Sequence, residues 1–519
     1  MDNLSRGTGA VRRGAAVAIL AMLVALIAVL AGCGSSSSSS SEKASLTGSG
    51  YPGVDAANTR NPKSEINSSN VGSLAVAWTA PITGESSFGS YASTPVIDNG
   101  VIYSQDLASN VQALSLDSGE VLWTANFEQP DEGPNGITVA EGRVYGATPT
   151  EAFALDQKSG QQVWSVKLSR NEHEGIDMAP GAQSGIVYVS TVPLNANEAY
   201  EGQGVGILWA LDAKTGKKLW HFNTVPNSLW GNSNINAGGG VWYPPAFDGK
   251  GSMYFGVGNP APFPGTGKYP WGSSRPGPNL YTDSLVKLNA KTGKMDWFHQ
   301  VTPHDLYDWD FQGPPILVKV GGKNLVVAAG KSGIVLAADQ ETGKVVWQRA
   351  VGTHNGHDDD GLLAMRGEES KIKTPSTVYP GSLGGVIAPM STDGSSVFVP
   401  IVNSPITIVS GSEKSEEGGE VGGEVVALDL ATGKVKWHQQ MSSPAFGATT
   451  AVNDLVFATN YEGSISAFNA KSGQVLWREK LSAGTNSGVM AEGRMLIAPA
   501  GLAAAEGQSP QIVAYELAE

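Results

Sequence analysis

The chain has 519 residues and a formal net charge of −14, so it offers no electrostatic footprint for nucleic acid or another anionic polymer. Its 66 Gly and 29 Pro, with short apolar runs between them, indicate a turn-rich β protein, and the single cysteine excludes an internal disulfide. At this length a closed repeat architecture can hold most of the chain in one unit.

In chain order, the first signal is one of targeting. Arg6, Arg12 and Arg13 precede an uncharged apolar stretch from Gly14 to Ala31, which ends in Leu30-Ala31-Gly32-Cys33 and runs on into GSSSSSSSEKAS. This resembles a bacterial lipoprotein signal, which would make residues 1–32 a signal peptide, Cys33 the lipidated first mature residue and 33–50 a flexible Ser-rich tether. The apolar stretch is also just long enough for an uncleaved membrane span, but the only Cys stands where a lipobox needs it. The expected location is extracytoplasmic, anchored to the membrane by lipid.

Residues 51–519 are dominated by one repeated cassette. It reads ALSLDSGEVLW ending at Trp123, ALDQKSGQQVW at Trp164, ALDAKTGKKLW at Trp220 and KLNAKTGKMDW at Trp297. It returns as AADQETGKVVW at Trp347, ALDLATGKVKW at Trp437 and AFNAKSGQVLW at Trp477. Each copy predicts a β-hairpin: a strand ends at Asp or Asn, a Ser/Thr-Gly pair supplies a positive-φ turn, and a second strand carries the Trp. One hairpin cannot bury an indole, so each Trp must pack on a neighbouring copy, as in the blades of a propeller. An eighth copy is split between Trp78 in AWTAPI and the C-terminal QIVAYELAE. The prediction is therefore an all-β, eight-bladed β-propeller closed by pairing of the N- and C-terminal strands.

Spacing locates the inserted material. Trp123 to Trp164 and Trp437 to Trp477 span about one bare blade, whereas Trp220 to Trp297 and Trp347 to Trp437 enclose much longer segments, which must leave as loops. The first long segment holds GGGVWYPPAF, YFGVGNPAPF and, just after its Trp, TPHDLYDWDF. The second holds THNGHDDDG, whose His354, His357 and Asp358 to Asp360 read as a polar loop, as does NEHEG at 171–175.

Cassette and insertions together resemble the quinoprotein alcohol dehydrogenases, which use pyrroloquinoline quinone (PQQ) and Ca²⁺. The resemblance implies that Trp242 floors the PQQ pocket, that Asn259 binds calcium, that Asp305 is the catalytic carboxylate and metal ligand, and that Lys331 contacts the reactive quinone oxygens. Asp308 and Asp310 accompany Asp305, and any of the three could instead cap a loop. The family's metal-binding Glu falls on Glu201, with Glu198 the alternative. Such residues suit the chemistry: calcium takes hard oxygen ligands, a bound cation acts as a Lewis acid on the quinone, and an ionised Asp takes the alcohol proton.

Several positions depart from the resemblance. The family's adjacent cysteine pair is missing, Ala92 replaces a Glu, Asn135 an Arg, and Val386, Ile387 and Ala388 stand where an Asn-Trp pair is expected. No CxxCH occurs, so electrons would pass to a separate carrier. The expected activity is oxidation of an alcohol or sugar; the alternative is a non-catalytic propeller lipoprotein acting as a binding or assembly scaffold.

Overall fold

The computed structural model describes residues 50–194, 202–415, 419–502 and 507–518. Among them are eight four-stranded antiparallel sheets, each built from strands in chain order, with short strands of smaller sheets intervening in three, except one. The exception is the eighth, in which Leu74–Pro81 pairs with Gln511–Leu517, Trp78 standing opposite Ala514. The split cassette is thus joined in one blade, and the chain is an eight-bladed propeller of the expected class.

The cassette residues explain how blades form and dock. In the second sheet Asp156 Oδ1 accepts the Ser159 N–H at 2.9 Å and its hydroxyl at 2.8 Å, while Gly160 turns the chain at φ 69°. Trp123 of the first sheet lies on Gly160, where a Cβ would run into the indole, and its Nε1 donates to the Gln157 carbonyl at 3.1 Å. The same docking sets Trp78 on Gly119, Trp164 on Gly216, Trp220 on Gly293, Trp297 on Gly343, Trp347 on Gly433 and Trp437 on Gly473. Trp477 instead meets Tyr515 of the eighth sheet edge-on, with centroids 5.6 Å apart. Glycine is therefore required twice in each turn, by its dihedral and by the approach of the neighbouring ring.

One element has no cassette signature. Residues 50–65 cross the innermost strands in turn: Val139 N–H donates to Gly50 O, Phe247 N–H to Ala56 O, Leu317 N–H to Ala57 O, Thr392 N–H to Thr59 O and Ala451 N–H to Arg60 O. Glu65 N–H then reaches Gly493 O. This segment ties six sheets together at one end of the axis, leaving the long loops to shape the other.

Candidate active site

The site lies where the fourth sheet hands over to the fifth. Between Met295–Gln300 and Ile316–Val320 runs the loop carrying Asp305, Asp308 and Asp310. Tyr307 and Trp309 anchor it to the second insertion: Tyr307 donates its hydroxyl to Asp360 Oδ2 at 2.5 Å, and Trp309 Nε1 donates to Pro380 O at 3.0 Å. Leu306, Tyr307 and Trp309 share an apolar cluster with Ile372, Val378, Ile406 and Ile408. His357 extends the support, with Nδ1 2.7 Å from Asp360 Oδ2 and Nε2 2.9 Å from Ser376 Oγ. The polar THNGHDDDG segment is thus a buttress for the acidic loop.

Asp308 and Asp310 converge on Lys331. The ammonium is 2.9 Å from Asp308 Oδ2 and 2.6 Å from Asp310 Oδ2, and all three side chains are buried. Burial opposes the charge on Lys331, but the two carboxylates outweigh it and hold the ammonium above the ordinary lysine range. Burial likewise pushes Asp308 well above the usual carboxylate range, against the pull of Lys331. Asp308 sits at φ 65°, a conformation that costs about 1–3 kcal/mol and recurs at functional sites.

Asn259 joins this group from the fourth sheet. Its backbone N–H donates to Asp310 Oδ1 at 2.8 Å, while its side-chain nitrogen donates to Pro260 O at 3.2 Å and so leaves Oδ1 free to turn to a cation. Trp242 completes the set: a Cβ at Gly258 would collide with Asp310 Oδ1 and lie 2.9 Å from the Trp242 Nε1, so glycine opens the space between acid and indole. Asp308 Oδ1 and Trp242 Nε1 are buried without a hydrogen-bond partner. The carboxylates of Asp308 and Asp310, the first with its Oδ1 unpartnered, and the Asn259 amide oxygen are hard donors of the kind Ca²⁺ takes, with Lys331 already neutralising part of their charge.

Asp305 lies outside this convergence. Its two oxygens accept the Tyr307 N–H at 2.8 Å and the Trp309 N–H at 2.7 Å, so it caps the loop that aims its neighbours. Burial pushes its carboxyl up to about 6 against those two hydrogen bonds. The resemblance placed the catalytic and metal-binding role on Asp305, whereas it is Asp308 and Asp310 that meet Lys331. Glu201, Glu198 and Cys33 lie outside the described residues.

Tyr243, which follows Trp242 in the chain and feels the charge of Lys331, lines a chamber of about 510 Å³ together with Phe88, Ile387 and Phe446, with Glu132 and Asn486 as its polar lining. Tyr243 donates its hydroxyl to the Ile387 carbonyl at 3.3 Å. Burial, then the charge of Asp177, pushes Glu132 up to about 7. Asp177 is buried beside Asp131 and is held well above the carboxylate range by burial and by that neighbour. No motif signalled these acids. The chamber's aromatic walls suit a flat ligand, and Ala92, which stands where a Glu is expected, leaves Glu132 as its carboxylate.

Residues 51–139 and 182–350 match the β-propeller domain of glucose/ethanol/alcohol dehydrogenases, and residues 107–250 and 381–519 match the outer membrane protein assembly factor BamB family. The chain is 28% identical over 508 residues to the quinohemoprotein alcohol dehydrogenase of Comamonas testosteroni, covering 85% of this chain and 69% of that protein. The crystal structure of that enzyme superposes with a TM-score of 0.78 at 23% identity, over 91% of this chain and 80% of the other. A europium-containing methanol dehydrogenase superposes with a TM-score of 0.76 at 19% identity, over 92% and 99%.

Proposed function

This chain belongs to the quinoprotein alcohol dehydrogenase-like family of PQQ-type β-propellers, and from that premise we propose a PQQ-dependent oxidoreductase that oxidises an alcohol at the Asp308 group. The observation that carries the assignment is the convergence of Asn259, Asp308, Asp310, Lys331 and Trp242 from two sheets. Asn259, Asp308 and Asp310 would hold Ca²⁺ or a harder trivalent ion, with Glu201 or Glu198 as a further carboxylate. PQQ, when bound, supplies the hydride acceptor.

The protein's own part is proton and charge management. Asp308 would take the hydroxyl proton of the alcohol on its unpartnered Oδ1; Lys331 at 2.9 Å on the other oxygen pulls toward the ionised form a base needs, against the burial that raises the carboxyl. Asp305 keeps the loop in place, so the role the sequence suggested for Asp305 passes to Asp308. Trp242 would give the flat cofactor an aromatic face. Electrons leave to a separate carrier, and the protein works outside the cytoplasm on a lipid anchor at Cys33; sugars remain candidate substrates alongside simple alcohols.

The chamber's replaced residues favour a second assignment, an assembly or binding scaffold that keeps the propeller without the cofactor. Reconstitution decides between them. Purified protein is loaded with PQQ and Ca²⁺ or Eu³⁺, and quinone absorbance and alcohol-dependent dye reduction are measured. A bound-quinone spectrum with turnover supports the enzyme; neither signal with either ion supports the scaffold.

A further inference from the structure

Arg60, from the segment that crosses the axis, is only 2% exposed. Its Nε donates to Thr449 O at 2.8 Å, Nη1 to Pro52 O at 2.9 Å and Nη2 to Thr450 Oγ1 at 3.3 Å. All three acceptors are neutral, and three bonds leave part of a five-donor guanidinium unspent. No carboxylate acts on it: the one ionisable neighbour whose charge it feels among the described residues is the Tyr243 phenol. A buried cation without a counter-charge is costly unless something supplies one.

Arg60 ends a narrow shaft of about 40 Å³ on the propeller axis, which shares Ala92, Pro134, Tyr243 and Asn486 with the chamber. Asn135 also lines the shaft. Its Nδ2 donates to Asp106 O at 2.7 Å, which identifies Oδ1 as the remaining acceptor, and that oxygen is buried without a partner in a residue 5% exposed. The shaft therefore presents an uncompensated cation and an unfilled acceptor in one place.

We propose that the shaft receives the acidic end of the chamber's ligand, a carboxylate going to Arg60 and an adjacent N–H to Asn135 Oδ1. The proposal rests on the PQQ assignment and deepens it, because a pyrrole-2-carboxylate end carries that pair of groups. Asn135, which stands where the family resemblance calls for an Arg, then reads the N–H, and the positive charge comes from a segment outside the blades.

The probe is pyrrole-2-carboxylate, titrated into the full chain and followed by saturation-transfer NMR, with pyrrole-2-carboxamide and acetate as comparators. Wild type should bind the carboxylate at least about tenfold more tightly than the amide. Arg60→Gln should abolish that preference, and Asn135→Leu, which leaves the crossing segment untouched, should weaken pyrrole-2-carboxylate but not acetate. Thermal melting checks that each variant is folded. If wild type shows no preference for the carboxylate, or if the folded variants bind as wild type does, the shaft holds water only and the proposal fails. Wild type that binds the probe but not PQQ overturns the cofactor assignment alone; PQQ binding unchanged by either substitution overturns this proposal alone.

Discussion

Asp308 and Asp310 share one ammonium, that of Lys331, at 2.9 and 2.6 Å, while Asp305 three residues earlier spends both oxygens on the backbone of the same loop. One acidic run therefore divides into two that meet Lys331 and one that holds the loop. Asp308→Asn keeps the size and one oxygen but removes the base, so turnover should fall about 100- to 10,000-fold with quinone binding retained. Asp305→Asn turns an acceptor into a donor against a backbone N–H and should cost about 1–3 kcal/mol of stability, read by urea unfolding. Wild-type turnover in Asp308→Asn, with collapse in a fully stable Asp305→Asn, would return the base to Asp305.

Asp310 brings a second carboxylate to the cation group two residues after the first, which raises the negative charge available to an ion. A trivalent ion gains more from that charge than Ca²⁺ does. Asp310→Ala should therefore weaken Tb³⁺ by at least about tenfold more than Ca²⁺. The Trp242 indole beside Asp310 provides the readout through sensitised terbium luminescence. Equal losses for the two ions would show that Asp310 does not set the choice of metal.

The blades were legible because each cassette states its own geometry. The Asp, the Ser/Thr and the Gly at φ near 70° build the turn locally, and the Trp declares a partner it cannot find within its own hairpin. The split cassette led to the pairing of Trp78 with Ala514 for the same reason. The site was legible only in part. TPHDLYDWDF announced carboxylates, but which of them would turn inward depended on Tyr307 and Trp309 meeting an insertion more than fifty residues away. Arg60 and Asp177 carried no motif, because only the ring brings the crossing segment and the third sheet's approach to the axis.

The Trp–Gly docking has a stability test. Gly343 has φ 70°, and a Cβ there would overlap the Trp297 ring of the preceding blade. Gly343→Ala combines backbone strain with a clash at a blade junction and should lower stability by about 1–3 kcal/mol. Gly367→Ala has the same dihedral sign, at φ 71°, but open space around it, so it should show the strain without the clash. Equal losses in the two variants would mean that indole contact adds nothing.

Cys33 carries the proposal for location. Cys33→Ser removes the thiol that lipidation needs, so the protein should leave the membrane fraction or accumulate at its unprocessed size. Fractionation followed by mass measurement of the N-terminus checks it. Membrane retention at the mature size in the variant would count against a lipid anchor.

Glu132 should make ligand binding in the chamber pH-dependent near neutrality. Its carboxyl is pushed up to about 7, by burial first and by Asp177 second, so it is protonated in mild acid and ionised in mild base. For folding, a raised carboxyl favours the native state at low pH, and that advantage is lost as pH rises from the unfolded value of 4.5 through about 7. For binding the sign is the same: ionised Glu132 repels a ligand bearing carboxylates, so PQQ affinity should fall between pH 6 and pH 8, a window on the order of one unit either side of that value. Glu132→Gln removes the charge and should flatten the profile at the tighter, low-pH level. Affinity is measured by fluorescence quenching at constant ionic strength and saturating metal. A profile unchanged by Glu132→Gln would place the titration elsewhere, and one that rises with pH would show that the ligand's anionic groups do not meet this wall.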